Sequence, residues 1–207
     1  LSIGIDAGST TLKIVVLDDQ SNIIYKSYER HFSRIRDLTL EKILSLSPIL
    51  KGHELSIAVT GSAGMGINKA TGIDFVQEVF ATSLAVKAHY PSADAVVELG
   101  GEDAKIIFIS GATEERMNSS CAGGTGAFID QMATLLNVTI DELDRLSLAA
   151  TDIYPIASRC GVFAKTDIQP LINQGAQKEN IAASIFQAVV DQTIAGLAQG
   201  REIKGNI

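Results

Sequence analysis

The chain has 207 residues, with 17 Lys and Arg against 24 Asp and Glu, so its formal net charge is −7. Hydrophobic residues make up 46% of it and only 4 Pro and 2 Cys occur, a composition that is typical of a globular protein and excludes a disordered chain or a disulfide framework. The acidic balance argues against non-specific binding to nucleic acid, which requires Lys and Arg to replace the counterions of the phosphates.

The first part of the chain predicts strands that alternate with helices. Runs rich in Ile and Val predict strands over 2–6, 11–17, 22–28 and 55–59. Apolar side chains at helical spacing predict helices over 37–50 and 77–89. The glycine-rich segment 60–66 lacks the spacing of a dinucleotide fingerprint, so we interpret it as a tight connection. The apolar start is interrupted by polar residues and lacks a basic region, so we expect a cytoplasmic protein without a membrane partner.

The second part of the chain continues this alternation. Strands are predicted over 94–99, 104–109 and near 113–117, and helices after the glycine-rich segment 123–126 and over 141–148. A helical stretch over 162–173 should be disturbed by Pro170, which has no N–H to donate. The last helix, about 178–199, is predicted to bury Ile181, Ile185, Val189, Ile194 and Leu197. This order of elements indicates an α/β fold.

An internal repeat relates the two parts. Segments 6–17 and 98–109, which lie 92 residues apart, align without a gap, and the acidic residue, the first Gly, the Lys and the apolar run coincide. Two strand–turn–strand units of one design favour a duplicated fold whose halves, over 1–90 and 91–207, face each other. Two unrelated hairpins with glycine in their turns are the alternative.

The first turn of the repeat has the composition of a phosphate-binding site. Its glycine allows the backbone to approach a ligand, and its N–H and hydroxyl groups are donors, contributed by Gly8, Ser9, Thr10 and Thr11. The Asp6 carboxylate beside them would repel phosphate unless a cation lay between, so it predicts Mg²⁺. The second unit offers a matching set from the opposite side: Glu98, Gly100, Gly101 and Asp103. Together they predict a clamp for the phosphates of a metal-bound nucleotide, with solvated acids in ordinary turns as the alternative; no P-loop motif is present.

Both cysteines precede helical stretches. Cys121 lies before the helix that follows 123–126, and Cys160 lies before the stretch over 162–173. Helix N-termini favour the thiolate, which suits a metal or an iron–sulfur cluster. A cubane cluster takes four cysteines, so a symmetric homodimer would be needed to supply them. On spacing alone, two buried free cysteines are the commoner arrangement.

Five motifs resemble the BadF/BadG/BcrA/BcrD ATPase family, and more closely the activators of 2-hydroxyacyl-CoA dehydratases. They are GIDAGST (4–10), VTGSAGMG (59–66), ELGGEDAK (98–105), MNSSCAGGTGAFID (117–130) and SRCGVFAKTDI (158–168). The resemblance implies the acetate kinase/Hsp70/actin-like fold, with two ribonuclease H-like halves around an ATP cleft. It also implies a homodimer in which Cys121 and Cys160 of each subunit hold one shared 4Fe–4S cluster.

The resemblance implies ATP-driven electron transfer. A reduced ferredoxin or flavodoxin would load the cluster, and ATP binding and hydrolysis to ADP would change the angle between the helices that hold it. The electron would then pass to an iron–sulfur dehydratase that removes water from a 2-hydroxyacyl-CoA. Solvent exposure and hydrogen bonding around the cluster tune its potential.

The resemblance also suggests a role for each candidate residue. Phosphate binding is assigned to Gly8, Ser9, Thr10, Thr11, Lys13, Gly100, Gly101, Gly123, Gly124 and Thr125. Mg²⁺ binding is assigned to Asp6 and Glu98, and catalysis to Glu102 and Asp103. The segment 123–126 joins the nucleotide cleft to the helix after Cys121, which makes it the expected mechanical link.

The chain departs from the activators at several positions. The activators have Asp and Gln at the positions of Glu98 and Glu102, and they have Arg at the position of Ala127. Lys165 and Thr166 replace Glu-Ser, as in large multidomain members of the family. The second glycine-rich motif, which holds adenosine, is expected after the last helix and is missing, so we expect a fragment whose second half is truncated.

Two other classes of function fit the sequence. A sugar or small-molecule kinase of the same fold would use Glu102 or Asp103 as the base near the γ-phosphate, with incidental cysteines. A non-catalytic regulatory module would use the cleft only to sense nucleotide. The three histidines have no ligand spacing and are assigned no role, and we expect them in surface segments: His31, His53 and His89.

Overall fold

A five-stranded mixed sheet is the centre of the first of two units. The computed structural model describes residues 1–111, 113–118, 123–158 and 160–207, which divide into Leu1–His89 and Tyr90–Ile207. The strands of the first unit are β1 Ser2–Ala7, β2 Thr11–Leu17, β3 Ile23–Arg30, β4 Ser56–Thr60 and β5 Asp74–Phe75. Their order is β3-β2-β1-β4-β5, in which β1, β2 and β3 are antiparallel neighbours and β4 and β5 run parallel to β1. The predicted strands are therefore confirmed, with the short β5 in addition.

The helices of the first unit depart from the predicted pattern in two places. They are α1 Ile35–Ser45, α2 Ser47–Leu50, α3 Gly64–Thr71 and α4 Glu78–His89. The single helix predicted over 37–50 is wrong, because the helix is interrupted at Leu46. A second helix, α2, follows with Pro48 in its first turn, where proline is tolerated. The connection predicted over 60–66 is too long, because the turn ends at Ala63 and α3 begins at Gly64.

A three-stranded antiparallel sheet begins the second unit. Its strands are β6 Ala95–Leu99, β7 Ala104–Phe108 and β8 Glu114–Asn118, in the order β6-β7-β8. Every residue of the central β7 is buried, including the charged Lys105. Asp6 lies opposite Lys13 across β1 and β2, and Glu98 lies opposite Lys105 across β6 and β7. The internal repeat is therefore a repeat of strand register as well as of sequence.

Four helices form the larger core of the second unit. They are α5 Gly126–Leu136, α6 Ile140–Ser147, α7 Gly161–Asn173 and α8 Lys178–Thr193. One residue from each helix shows how they meet, since Phe128, Leu143, Ile168 and Ile185 are all fully buried in one cluster. The acidic α6 starts with a capping box, in which the Thr139 side chain accepts from the Glu142 N–H and the Glu142 carboxylate accepts from the Thr139 N–H.

Pro170 does not interrupt α7, so the predicted disturbance is wrong. The helix continues through it to Asn173, and the Pro170 carbonyl accepts a hydrogen bond from Gln174 N–H at 2.9 Å. A proline in a helix removes one backbone hydrogen bond. The burial of Ala164 and Ile168 in the helical core holds the segment helical despite that loss.

The last helix ends in a π-helical turn, Ile194–Ala198. Ile194 was predicted inward but is 53% exposed, and Gln192 is the buried residue at 8% exposure. Gln192 continues the buried face of Ile185 and Ala188 at α-helical spacing, and Ile194 lies off that face, so the predicted burial of Ile194 is wrong. Among the described residues, one helical stretch, Lys178–Ala198, is long and apolar enough to cross a membrane, but half of its apolar window is buried in the protein, as in a core helix.

Candidate functional site

The Asp6 carboxylate stands at the end of β1, and the facing residue of β2 neutralises it. Lys13 Nζ donates to Asp6 Oδ2 at 2.7 Å. The same ammonium group lies 5.5 Å from the centre of the Tyr28 ring on β3, a cation–π distance. One carboxylate oxygen of Asp6, Oδ2, is thus paired with a cation of the protein, and the other oxygen, Oδ1, takes no part in that contact.

The second carboxylate oxygen of Asp6 meets the conditions for a cation ligand. Asp6 Oδ1 is buried and has no hydrogen-bond partner among the described residues, and the same holds for Thr60 Oγ1. These residues face each other across the parallel strands β1 and β4. Buried polar atoms without partners are rare in folded proteins, and a bound ion or water would satisfy them. No group of three or more His, Cys, Asp or Glu in the described ranges could hold a metal, so Mg²⁺ at Asp6 would draw its other ligands from water and phosphate.

The turn after Asp6 is held by internal hydrogen bonds. Gly8 N–H donates to Thr11 O at 3.0 Å, so this donor is already used within the turn. In the described part of the chain, neither Ser9 N–H nor Thr10 N–H donates to a backbone carbonyl. These two N–H groups, rather than that of Gly8, are the donors that a phosphate would meet.

His31 contacts this turn from the end of β3. It was expected in a surface segment, but only 8% of it is exposed, so that expectation is wrong. Its ring Nε2 lies 3.2 Å from Gly8 O, and its backbone N–H donates to Thr10 O at 3.2 Å. Pairing of β2 with β3 brings together residues that are distant in the sequence, which is why no local pattern indicates this role.

The equivalent turn of the second unit surrounds a buried lysine. Lys105 is only 4% exposed, and its Nζ lies 3.3 Å from Asp103 Oδ2 and 3.9 Å from Glu98 Oε1. A Cβ at Gly100 would lie 2.3 Å from Asp103 Oδ1, so that carboxylate folds back over the glycine. Glu102 is exposed at the tip of the turn. Of the two candidate catalytic acids, Asp103 is therefore paired within the protein and Glu102 faces outward.

The glycine-rich segment before α5 is tied to this second turn. Gly126 N–H donates to Gly100 O at 2.8 Å, and Ala127 N–H donates to Gly101 O at 2.9 Å. Thr125 at the N-cap of α5 is fully buried. The start of α5 is therefore hydrogen-bonded directly to the turn between β6 and β7. Of the remaining candidate residues here, Gly123 is also buried.

Gln192 of α8 packs against the same segment, a contact that was not predicted. Gly124 has a φ of +77°, and a Cβ there would lie 3.0 Å from Gln192 Cγ. Gln192 Oε1 is buried and finds no partner among the described residues. A polar residue within an apolar helical face, directly before a glycine-containing turn, is the signal that could have indicated it.

Cys160 is the cysteine that the structure describes, and Cys121 lies outside the described residues. Cys160 has a free, partly buried thiol at the N-cap of α7. A Cβ at Gly161 would lie 2.7 Å from Gln131 Oε1, so the start of α7 packs directly on α5. A thiol at this position fits an anionic cluster, because the helix N-terminus stabilises negative charge.

Comparison with known proteins gives a consistent assignment. The model of the BadF/BadG/BcrA/BcrD ATPase family matches residues 3–207. The (R)-2-hydroxyglutaryl-CoA dehydratase activating ATPase of Acidaminococcus fermentans is 32% identical over 204 residues, which cover 95% of this chain and 76% of that protein. The activator of lactoyl-CoA dehydratase of Anaerotignum propionicum is 31% identical over 202 residues, covering 95% and 77%.

A solved structure agrees with this result. The activator of the 2-hydroxyisocaproyl-CoA dehydratase from Clostridium difficile, with bound ADPNP, matches with a TM-score of 0.86 at 26% identity. The match covers 98% of this chain and 76% of that one. The predicted α/β fold of the acetate kinase/Hsp70/actin type is thereby confirmed.

Proposed function

The chain belongs to the BadF/BadG/BcrA/BcrD ATPase family, and on this premise we propose that it is an ATP-dependent electron-transfer activator of a 2-hydroxyacyl-CoA dehydratase. The observation that carries the proposal is its similarity to dehydratase activators over 95% of its length. The family model matches residues 3–207, a range that includes both turns and both cysteine motifs. The proposed partners are a second copy of the chain, a reduced ferredoxin or flavodoxin, and the dehydratase, all in the cytoplasm.

Each unit contributes one phosphate turn in this proposal. Ser9 and Thr10 N–H groups would bind phosphate oxygens of ATP, and Asp6 Oδ1 would hold Mg²⁺ through water. Bound Mg²⁺ neutralises the charge that develops on the phosphates. The contact of Lys13 with Oδ2 supports this role, because it fixes the orientation of the Asp6 carboxylate. Glu98 is the proposed Mg²⁺ residue of the second unit.

The second turn would orient the attacking water. Glu102 is exposed and is the candidate to accept its hydrogen bond, while Asp103 pairs with Lys105. Gly100 and Gly101 use their carbonyls to hold the start of α5. A shift of this turn on ATP hydrolysis would therefore be passed directly to α5, which is the kind of two-state element that switching proteins use.

Cys121 and Cys160 are the proposed ligands of a 4Fe–4S cluster shared by two subunits. The cluster supplies one-electron chemistry when it is bound. Cys160 presents its thiol from the N-cap of α7, and the close packing of Gly161 on Gln131 links that helix to α5. Movement of α5 would thus alter the surroundings of the thiols. These surroundings tune the reduction potential of a bound cluster.

An anaerobic iron count tests the proposal. The protein prepared without oxygen should be a dimer with about four irons, and Cys160→Ser should lose them while Ser158→Ala keeps them. The loaded protein should then activate a dehydratase only with ATP and a low-potential donor. An iron-free protein whose ATP consumption depends on a sugar and is unchanged by Cys160→Ser would instead establish the kinase alternative.

A further inference from the structure

His31 uses both nitrogens of its ring, and the proposed chemistry leaves it without a role. Ser33 N–H donates to Nδ1 at 3.1 Å. Because Nδ1 accepts that bond, the proton of the neutral ring is on Nε2. Nε2–H therefore donates to Gly8 O, 3.2 Å away. The imidazole is a bridge between the turn that follows it and the Gly8 turn.

The backbone after His31 is strained in a way that serves this bridge. Phe32 and Ser33 have φ values of +46° and +63°, a left-handed conformation that side chains disfavour. Phe32 is also 78% exposed, so burial of its side chain does not explain the conformation. Arg34 N–H closes the turn by donating to His31 O at 2.7 Å. Such strain persists where other interactions hold it, and here it aims Ser33 N–H at the ring.

The contacts of His31 determine which groups of the Gly8 turn face outward. The Gly8 carbonyl and the Ser9 N–H belong to one planar trans peptide, so they point in opposite directions. Holding Gly8 O against Nε2 directs Ser9 N–H away from His31, and Ser9 itself is exposed. The His31 N–H also occupies Thr10 O. Two carbonyls that would repel an anion are thereby kept on the inner side of the turn.

We propose that His31 is a positioning residue for the phosphate turn formed by Gly8, Ser9, Thr10 and Thr11, and that it presents the Ser9 N–H to a nucleoside diphosphate or triphosphate. The inference rests on the proposed function, because it takes this turn to be the phosphate site. The decisive contact is the hydrogen bond from Nε2–H to Gly8 O. The hydrogen bond that Nδ1 accepts from Ser33 N–H fixes the orientation of the ring.

Two amide substitutions distinguish the contribution of Nε2 to nucleotide binding from that of Nδ1. A glutamine amide reaches the position of Nε2 and can donate to Gly8 O, so His31→Gln should bind MgADP within about threefold of the unmodified chain. An asparagine amide reaches only the position of Nδ1, so His31→Asn should bind about tenfold more weakly, the loss of roughly one hydrogen bond. Calorimetry measures both affinities. His53→Asn, at an exposed histidine of the same unit, should change nothing.

Thermal unfolding distinguishes positioning from a merely structural role. The proposal requires that His31→Gln and His31→Asn differ in MgADP affinity while they unfold at similar temperatures. Equal affinities for the two variants, or affinity losses that only follow the loss of thermal stability, would overturn it.

Nitrogen NMR of the unmodified protein keeps the test decisive if the variants do not fold. The ring of His31 should show the Nε2–H tautomer and shift on saturation with MgADP, and the ring of His53 should not shift. Absence of a shift at His31 would contradict the proposal. A chain that binds MgADP but holds no iron and activates no dehydratase would refute the proposed function and leave the comparison at His31 intact. A chain that does not bind MgADP would refute both.

Discussion

A Cβ atom at position 61 would lie 2.5 Å from Asp6 Oδ1, so the Asp6 carboxylate occupies the space that Gly61 leaves open. The Ala7 carbonyl oxygen lies at the same distance, and Gly61 has a φ of +89°. The turn between β4 and α3 therefore closes over the end of β1. This close approach holds Asp6 Oδ1 in its buried position.

Gly61→Ala should be strongly destabilising because it combines an unfavourable backbone conformation with a clash. We expect it to lower the free energy of unfolding by more than about 2 kcal/mol. Gly72→Ala is the matched control, since Gly72 has a φ of +76° but a Cβ there meets no heavy atom of the described residues within 4 Å. It should cost about 1 kcal/mol. Urea unfolding of both variants measures the difference, and equal losses would show that the contact with Asp6 does not matter.

The two lysines of the repeat should differ in energetic importance. Lys105 is buried between Glu98 and Asp103, so Lys105→Met removes the buried cation beside two partly buried carboxylates and should cost about 3–5 kcal/mol. Lys13 pairs with Asp6 nearer the surface, and Lys13→Met should cost about 1 kcal/mol. Denaturant unfolding of the pair is the measurement. A larger loss at Lys13 would contradict the burial argument.

Gly124 and Gln192 should be energetically coupled. Gly124→Ala introduces a Cβ 3.0 Å from Gln192 Cγ at a residue with a φ of +77°, and should destabilise the protein by about 2 kcal/mol. Gln192→Ala removes that Cγ, so the double variant should lose about 1 kcal/mol less than the sum of the single variants. Strict additivity in this double-mutant cycle would exclude the contact. Gly200→Ala, with a φ of +85° and open space around its Cβ among the described residues, reports the cost of the backbone alone.

Acid should weaken the end of the second unit through Glu114. The Arg116 guanidinium donates a hydrogen bond to Glu114 and, with the charge of Arg201, holds the pKa of that carboxyl below its ordinary value of 4.5. A pKa lowered by folding means that the ionised carboxylate stabilises the fold above the ordinary value, and that this contribution is lost as the pH falls through the folded value.

Glu114→Gln should therefore lower the melting temperature near neutral pH and have progressively less effect toward acid. Melting curves between about pH 3 and pH 7 measure this convergence with the unmodified protein. Glu115→Gln, at the adjacent exposed position on β8, serves as the control for loss of a negative charge. A constant difference across the pH range would disprove the role of Glu114 ionisation.

Patterns of a few residues were sufficient for most of the elements. Runs rich in Ile and Val specify the strands of both hairpins, because β-branched residues favour the extended backbone of a strand. Asp6 and Glu98 could be recognised because each precedes a glycine turn and is followed seven residues later by a lysine. The position of Cys160 at the N-cap of α7 likewise follows from its local context.

Other features depend on residues that are far apart in the sequence. The start of α3 within a glycine-rich segment depends on which glycine has a positive φ, and this is Gly61, which closes over Asp6. Gln192 continues the buried face of Ile185 and Ala188 on α8, but the residue it packs on there is Gly124, far earlier in the chain. No residue close to Gln192 in the sequence reports its packing on Gly124.

The duplicated fold and its two acidic glycine turns could thus be predicted from local composition and from one repeat, because strand propensity and turn chemistry act over a few residues. The contacts around these turns could not be predicted in this way. His31, Gly61 and Gln192 contact their turns across 23 to 68 residues of chain, through the pairing of strands and the packing of helices. Such contacts depend on where whole elements lie, so the groups left available for phosphate and metal are set by long-range packing.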